Sequence, residues 1–329
     1  MGLRAARGTG VIGMDYRTLG STGLEVSAIG FGGNRLGVGG GRDEQREAEA
    51  TLRAAIERGV TLFDTANSYG GGRSEALLGR VLKQHRDRLL LCSKVGQKHW
   101  SSVLHERLTD PMRLSAPSLR RSEHSTAGSG ARPRPPANFA PRMIELAVAG
   151  SLRRLKTDRV DVLYLHAPPP EVLADPAVFA ALDRLVERGW VRSYGVSFPR
   201  AASTAQIVDA ISRWPRIQVA QLLINVRSSL DLARIAAARR DRPVAIVAQL
   251  ALEKGKLLAD TEVVRAAAAS PARTVAQTLL RFPLQCEGVA AVLAGMRTRA
   301  HLDENIGALA TPPLSDEELA RLRSLTTIR

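Results

Sequence analysis

Cysteine, lysine and aromatic residues are scarce in this chain of 329 residues. Two cysteines, Cys92 and Cys286, lie far apart and cannot build a disulfide framework. A reducing cytoplasm is therefore the simplest compartment. Aromatic side chains make up 4%, too few to line a stacking platform for single-stranded nucleic acid. No apolar run is long enough to cross a bilayer, so no membrane partner is expected. Residues 1–13 carry scattered arginines and no apolar stretch of the kind a secretory signal needs. They read as a disordered extension or the product of an upstream start codon, with residues 14–329 as one domain.

What is abundant is arginine. The formal net charge is +15, from 47 basic and 32 acidic residues, and only six of the basic ones are lysines. A basic balance can serve nucleic acid or acidic ligands. Here the arginines are spread through helical segments, so a general preference for arginine is the simpler account. No nucleic-acid partner is expected. With 44% hydrophobic and 24% charged residues, the chain can bury a large core.

Apolar runs alternate with longer amphipathic stretches. Strands are predicted at residues 28–31, 60–63, 89–93, 160–165, 191–196, 217–221, 244–248 and 289–293. Helices are predicted at 43–58, 73–83, 140–156, 171–188, 201–213, 230–240, 272–282 and 299–309. Eight such repeats in about 300 residues predict an α/β protein folded as a (β/α)8 TIM barrel. A doubly wound parallel sheet is the alternative that pattern alone leaves open.

Residues 97–138 break the alternation. Ser, Pro, Gly and Arg recur there, and Pro133-Arg134-Pro135-Pro136 continues neither a helix nor a central strand. In a barrel this long loop after the third strand would overhang the C-terminal face, where active sites lie. It reads as an active-site loop or a disordered insertion. Its seven basic and three acidic residues suit an anionic or polar substrate.

Three ionisable residues stand where apolar strands stop: Asp64, Lys94 and His166. Any one alone reads as a satisfied polar residue at a strand end. In a parallel barrel, however, all strand C-termini converge on one mouth. Lys94 is also a lysine in a chain that uses arginine nearly everywhere else, and an amine can shift its pKa where a guanidinium cannot. Tyr69 follows five residues after Asp64. Beside the other three it offers a general acid. An adjacent ammonium favours the phenolate, and a carboxylate holds that ammonium in place. A neutral imidazole can orient a carbonyl oxygen. This set suits proton donation to an alkoxide as hydride arrives, and hydride must come from a cofactor. No metal site is expected.

These segments together resemble the aldo-keto reductase family, from about residue 16 to residue 326. Tyr16-Arg17-Thr18-Leu19-Gly20 with Gly23-Leu24-Glu25-Val26-Ser27 resembles the N-terminal β-hairpin that plugs the barrel floor. Gly30-Phe31-Gly32-Gly33 resembles the first strand and its end. Phe63-Asp64-Thr65-Ala66 through Tyr69-Gly70 resembles the aspartate and tyrosine segment, and Ser93-Lys94-Val95-Gly96 the lysine segment. Ser151-Leu152-Arg153-Arg154-Leu155 with Val160-Asp161-Val162-Leu163-Tyr164-Leu165-His166 resembles the histidine segment.

The resemblance implies Tyr69 as proton donor, Lys94 and Asp64 tuning it, and His166 orienting the substrate. It implies NADP(H), with NAD(H) as the other form, bound without a Rossmann fold. Ser197 and Gln221 match positions that hold the nicotinamide carboxamide. Further cofactor contacts are implied for Gly33, Asn34 and Asp64, and for Gln249, Leu250 and Leu252 after the seventh strand. Gly295, Arg297, His301, Glu304 and Asn305 resemble the loop and helix start that hold the adenosine phosphates. Arg297 is the candidate for the 2′-phosphate. The chain departs from the family pattern at Phe198 and Pro199, where asparagine often follows the serine. It departs again at Gln249, where an aromatic residue often stacks, at Leu250-Ala251 for Ser-Pro, and at His301 for arginine or glutamine.

The implied activity is reduction of an aldehyde or ketone to an alcohol, or oxidation of an alcohol or lactol. Two other functions fit the same barrel: a nucleotide-sensing regulatory protein, and a redox-neutral biosynthetic enzyme using the same acid–base groups. Substrate identity and oligomeric state have no readable signature in the sequence.

Overall fold

The computed structural model describes residues 13–37, 41–97, 137–239, 241–268 and 272–326. Most of the predicted N-terminal extension and of the predicted loop at 97–138 lies outside the described residues.

The polypeptide begins with a hairpin. Strand β1 (Tyr16–Thr18) pairs antiparallel with β2 (Glu25–Ser27), with Tyr16 opposite Ser27. Eight parallel strands follow: β3 (Ile29–Gly32), β4 (Leu62–Asp64), β5 (Leu90–Val95), β6 (Val160–His166), β7 (Val191–Ser197), β8 (Ile217–Leu223), β9 (Ala245–Gln249) and β10 (Val289–Ala294). They pair in chain order, and β10 returns to β3 through Val292↔Ile29 and Ala294↔Phe31. That closure distinguishes a barrel from the doubly wound alternative. The eight predicted strands are the eight staves.

Strand alternation sorts the side chains. Leu62, Leu90, Cys92, Val162, Tyr164, Val219, Val247 and Ala291 form one interior cluster. Their neighbours one residue along, such as Phe63, Leu91, Leu163 and Ala220, pack outward under the helices. Because strands in a parallel barrel are buried on both faces, they read as unbroken apolar runs. Leu19, Leu24 and Val26 join the interior cluster, so the hairpin closes the floor. Gly195 is required by the barrel itself. A Cβ there would lie 2.0 Å from the Val219 carbonyl oxygen.

Helices α1 (Arg42–Glu57), α2 (Arg73–Leu82) and α3 (Pro141–Leu155) agree with prediction to within a few residues. The helix predicted at 171–188 is two, α4 (Pro170–Ala174) and α5 (Pro176–Glu187). Asp175 sits between them in extended geometry and caps Ala177, because Pro176 excludes a helical predecessor. Then come α6 (Thr204–Arg213), α7 (Leu232–Ala237), α8 (Thr261–Ala267), α9 (Val275–Leu284), α10 (Arg299–Ala310) and α11 (Asp316–Arg323). Helices α8 and α11 lie outside the predicted strand–helix alternation. Both pack in a satellite cluster with Val226, Leu257, Leu279 and Phe282.

Some of the arginine excess is structural. Arg281 donates to the carbonyls of Ala308, Leu309 and Thr311 at the end of α10. Arg239 donates to the carbonyls of Ile211, in the last turn of α6, and of Trp214 and Ile217 beyond it. Helix C-termini leave carbonyls without intrahelical partners, and a buried guanidinium fork can satisfy several at once.

Candidate active site

The same alternation that fills the floor with apolar groups puts polar ones at the mouth. Asp64 shares the face of Leu62, Lys94 that of Cys92, His166 that of Tyr164, and Gln221 that of Val219. All are at or near the C-terminal ends of their strands.

Lys94 is fully buried. Its Nζ donates to Asp64 Oδ2 and, at 2.9 Å, to the Thr65 carbonyl. The same Nζ lies 5.1 Å from the Tyr69 ring centroid and 5.8 Å from that of Tyr164. The Tyr69 and His166 rings meet edge to face, centroids 5.8 Å apart. Asp64, Lys94, Tyr69 and His166, read from three segments of sequence, are thus brought together. Burial alone would push the Lys94 ammonium down. The charges of Asp64 and Tyr69 and the hydrogen bond to Asp64 outweigh that and hold it above its ordinary value. Burial pushes Asp64 up, opposed by Lys94 and by a hydrogen bond from Gln221.

Outside the barrel, Ser93 donates to Glu75 at 2.6 Å, and Arg154 donates to the other Glu75 oxygen at 2.7 Å. This pins β5 one residue before Lys94.

The predicted cofactor residues fall into three groups. Ser197 Oγ donates to Gln221 Oε1 at 2.7 Å, and Gln221 Nε2 donates to Asp64 Oδ1 at 3.0 Å. The two candidate carboxamide partners are therefore wired to Asp64, a link the sequence reading did not contain. Gly33 donates its N–H to the Asp64 carbonyl at 2.8 Å, and Asn34 is exposed in the turn beyond it. Phe198, which departs from the family pattern, is buried in the outer core.

The second group follows β9. Gln249 ends that strand, half-buried, and Leu250 adopts φ 59°. Glu253 and Lys254 are also left-handed, so the turn containing Leu252 is tightly wound. Arg200 donates to Glu253 at 2.6 Å across a neighbouring cleft of about 400 Å³. That cleft is lined by Phe198, Asn225, Arg227 and Leu257, and by none of the four ionisable residues. Neither Arg200 nor Glu253 was singled out from the sequence.

The third group follows β10. A Cβ on Gly295 would meet open space, so the backbone there faces an opening. Thr298 caps α10, accepting from the His301 N–H at 3.2 Å. Asn305 donates to the Gly295 carbonyl at 3.3 Å, and Thr274 donates to Glu304. Arg297 is half-exposed and meets Glu44 of α1 at 3.4 Å. An opening at a helix start beside an arginine fits a phosphate-bearing group. Paired amide and hydroxyl side chains beside the Asp64–Lys94 pair fit its polar headgroup.

The profile of the aldo/keto reductase family matches residues 28–327. The chain belongs to the aldo-keto reductase family. It is an oxidoreductase of that family. D-threo-aldose 1-dehydrogenase of Pseudomonas sp is 30% identical over 343 aligned residues, 93% of this chain and 97% of that protein. Aldo-keto reductase YhdN of Bacillus subtilis is 32% identical over 188 residues, 56% of this chain and 47% of that protein. That match spans about half of the relative's length. A Klebsiella pneumoniae aldo-keto reductase solved in complex with NADPH superimposes with a TM-score of 0.71 at 25% identity, over 95% of this chain and 96% of that one. Among the described residues, no group of three or more His, Cys, Asp or Glu side chains could hold a metal ion. Also among them, no helix is long and apolar enough to cross a membrane.

Proposed function

We propose that this aldo-keto reductase uses NADP(H) to interconvert a small carbonyl compound and its alcohol, with Tyr69 as general acid–base. The observation that carries the reading is the continuous arrangement of Asp64, Lys94, Tyr69 and His166 at one mouth. The bound nicotinamide supplies or accepts the hydride. The remaining chemistry belongs to the side chains. Tyr69 gives its proton to the oxygen of the reacting carbonyl. The Lys94 ammonium beside the ring stabilises the phenolate left behind, and Asp64 keeps that ammonium charged. His166, edge-on to Tyr69, holds the carbonyl oxygen within reach of the phenol. Ser197 and Gln221 would orient the carboxamide of the ring, and Gln249, Leu250 and Leu252 would contact the nicotinamide end. Gly33 and Asn34 border the mouth. Gly295, Arg297, His301, Glu304 and Asn305 would hold the adenosine end, with Arg297 as the partner of the 2′-phosphate.

The test has two arms. NADPH titration of the purified protein, followed by cofactor fluorescence, should show binding that Arg297→Ala weakens. A panel of aldehydes and ketones should then reveal NADPH oxidation that Tyr69→Phe lowers by about 10²–10⁴-fold, the range for loss of a general acid. Near-normal turnover in Tyr69→Phe would sink the mechanism. NADPH binding without oxidation on any carbonyl would favour the nucleotide-sensing reading.

A further inference from the structure

Arg297 is not a lone cation waiting for a phosphate. Its Nη2 meets Glu44 Oε2 at 3.4 Å, and both side chains are about half exposed, 51% and 55%. Glu44 comes from the first turn of α1, across the barrel seam where β10 joins β3. Two acids close by in sequence have other partners. Asp43 pairs with Arg46, and Asp303 pairs with Arg58. The Arg297 guanidinium and the Glu44 carboxylate therefore share one spot at the opening beside Gly295.

The two groups recognise opposite forms of a nucleotide. A guanidinium fork binds a ribose 2′-phosphate, whereas a carboxylate accepts from a free ribose 2′-hydroxyl. The carboxylate also repels a dianionic phosphate brought to the guanidinium it already occupies.

We infer that Glu44 is a specificity-determining residue that opposes Arg297, so the protein accepts both the 2′-phosphorylated and the unphosphorylated dinucleotide. This rests on the reading of Arg297 as the 2′-phosphate partner. Glu44 lowers affinity for the phosphorylated form until its charge is displaced, and it supplies an acceptor to the other form. A change at this one carboxylate shifts the balance between the two forms. The residue lies on the surface, away from the catalytic tyrosine, so its effect falls on affinity and not on the proton-transfer step.

The experiment is a binding titration of the full chain by calorimetry with 2′,5′-ADP and 5′-AMP, which differ by the 2′-phosphate alone. It compares the wild type with Glu44→Gln, Arg297→Ala and Asp43→Asn. Glu44→Gln should raise the preference for 2′,5′-ADP over 5′-AMP by about fivefold, the size of a half-exposed charge pair. Arg297→Ala should lower it, and Asp43→Asn, one residue away and paired to Arg46, should leave it unchanged. An unchanged preference in Glu44→Gln, with Arg297→Ala still weakening 2′,5′-ADP, would overturn the role of Glu44 and leave Arg297 in place. An equal rise in Asp43→Asn would reduce the effect to the general field of α1 and overturn it as well. If Arg297→Ala changes nothing, or the wild type binds neither nucleotide, the assignment of Arg297 falls and this inference with it.

Discussion

Lys94 has no solvent exposure and forms an ion pair with Asp64. Replacing it with methionine keeps the volume but leaves a buried carboxyl without a counter-charge. Lys94→Met should cost about 3–5 kcal/mol in urea unfolding. Adding Asp64→Asn should recover part of that loss, since the two sites are directly coupled. The pair also sets an alkaline limit. Lys94 holds its proton more tightly in the folded chain than in the unfolded one, because Asp64 and Tyr69 outweigh the burial that opposes them. Its contribution to stability is complete below the ordinary lysine pKa of about 10.4 and is lost as pH rises through the folded value. Unfolding titrations of wild type and the double variant should therefore converge above that pH. Lys94 was legible in the sequence because it is a rare lysine at the end of an apolar run. The link from Gln221 to Asp64 was not, because 157 residues separate them. Neither was Glu44 facing Arg297, 253 residues away.

Helices α8 and α11 belong to the satellite cluster, not to the barrel wall. Each is short and lies outside the eightfold alternation, so periodicity does not reveal it. A local signal for α11 was present. Ser315 and Glu318 have capping-box spacing, and both reciprocal hydrogen bonds form. Ser315→Ala should cost about 1 kcal/mol by chemical denaturation. The same elements should yield first to acid. Asp260 caps α8, and the Val263 N–H together with Arg227 holds its carboxyl below the usual value. Glu318 is pushed up by burial, but Ser315 and Arg273 outweigh that and hold it low. Both carboxyls therefore bind protons more weakly in the folded chain. Their stabilisation is present above the unfolded values of about 3.9 and 4.3, and is lost as pH falls through the folded ones. Between pH 5 and pH 3, roughly spanning those values, amide protection factors corrected for the intrinsic exchange rate should fall in α8 and α11 before β5 or β6. Simultaneous loss of protection everywhere would contradict this.

At the scale of the whole molecule, closure is the demanding step. The eight staves have to fit around a filled interior, and Gly195 of β7 sits opposite Val219 of β8. Gly195→Ala places a methyl group 2.0 Å from the Val219 oxygen. The neighbouring atom is backbone within the barrel ladder and cannot swing aside. We expect a loss near the upper end of the overpacking range, about 3 kcal/mol, measured by thermal unfolding, or failure to accumulate soluble protein. A normal melting temperature would mean that the barrel flexes at β7.

The sequence by itself determined the number of staves and their order along the chain, because burial on both faces leaves short, largely apolar runs that alternate with longer amphipathic stretches. It also determined which residues stand at the strand ends, because the period of a strand is fixed by its covalent geometry. Asp64, Lys94 and His166 could be read that way, and Tyr69 by its distance from Asp64. Only the tertiary structure decided that the sheet closes, since β10 and β3 are joined by register between segments at opposite ends of the chain. It alone decided that Asp175 divides one predicted helix into two, and that Gln221 reaches Asp64. It alone set Glu44 against Arg297. Those contacts span long separations in sequence, and local periodicity carries no information about which distant side chains will share one small volume once the barrel has formed.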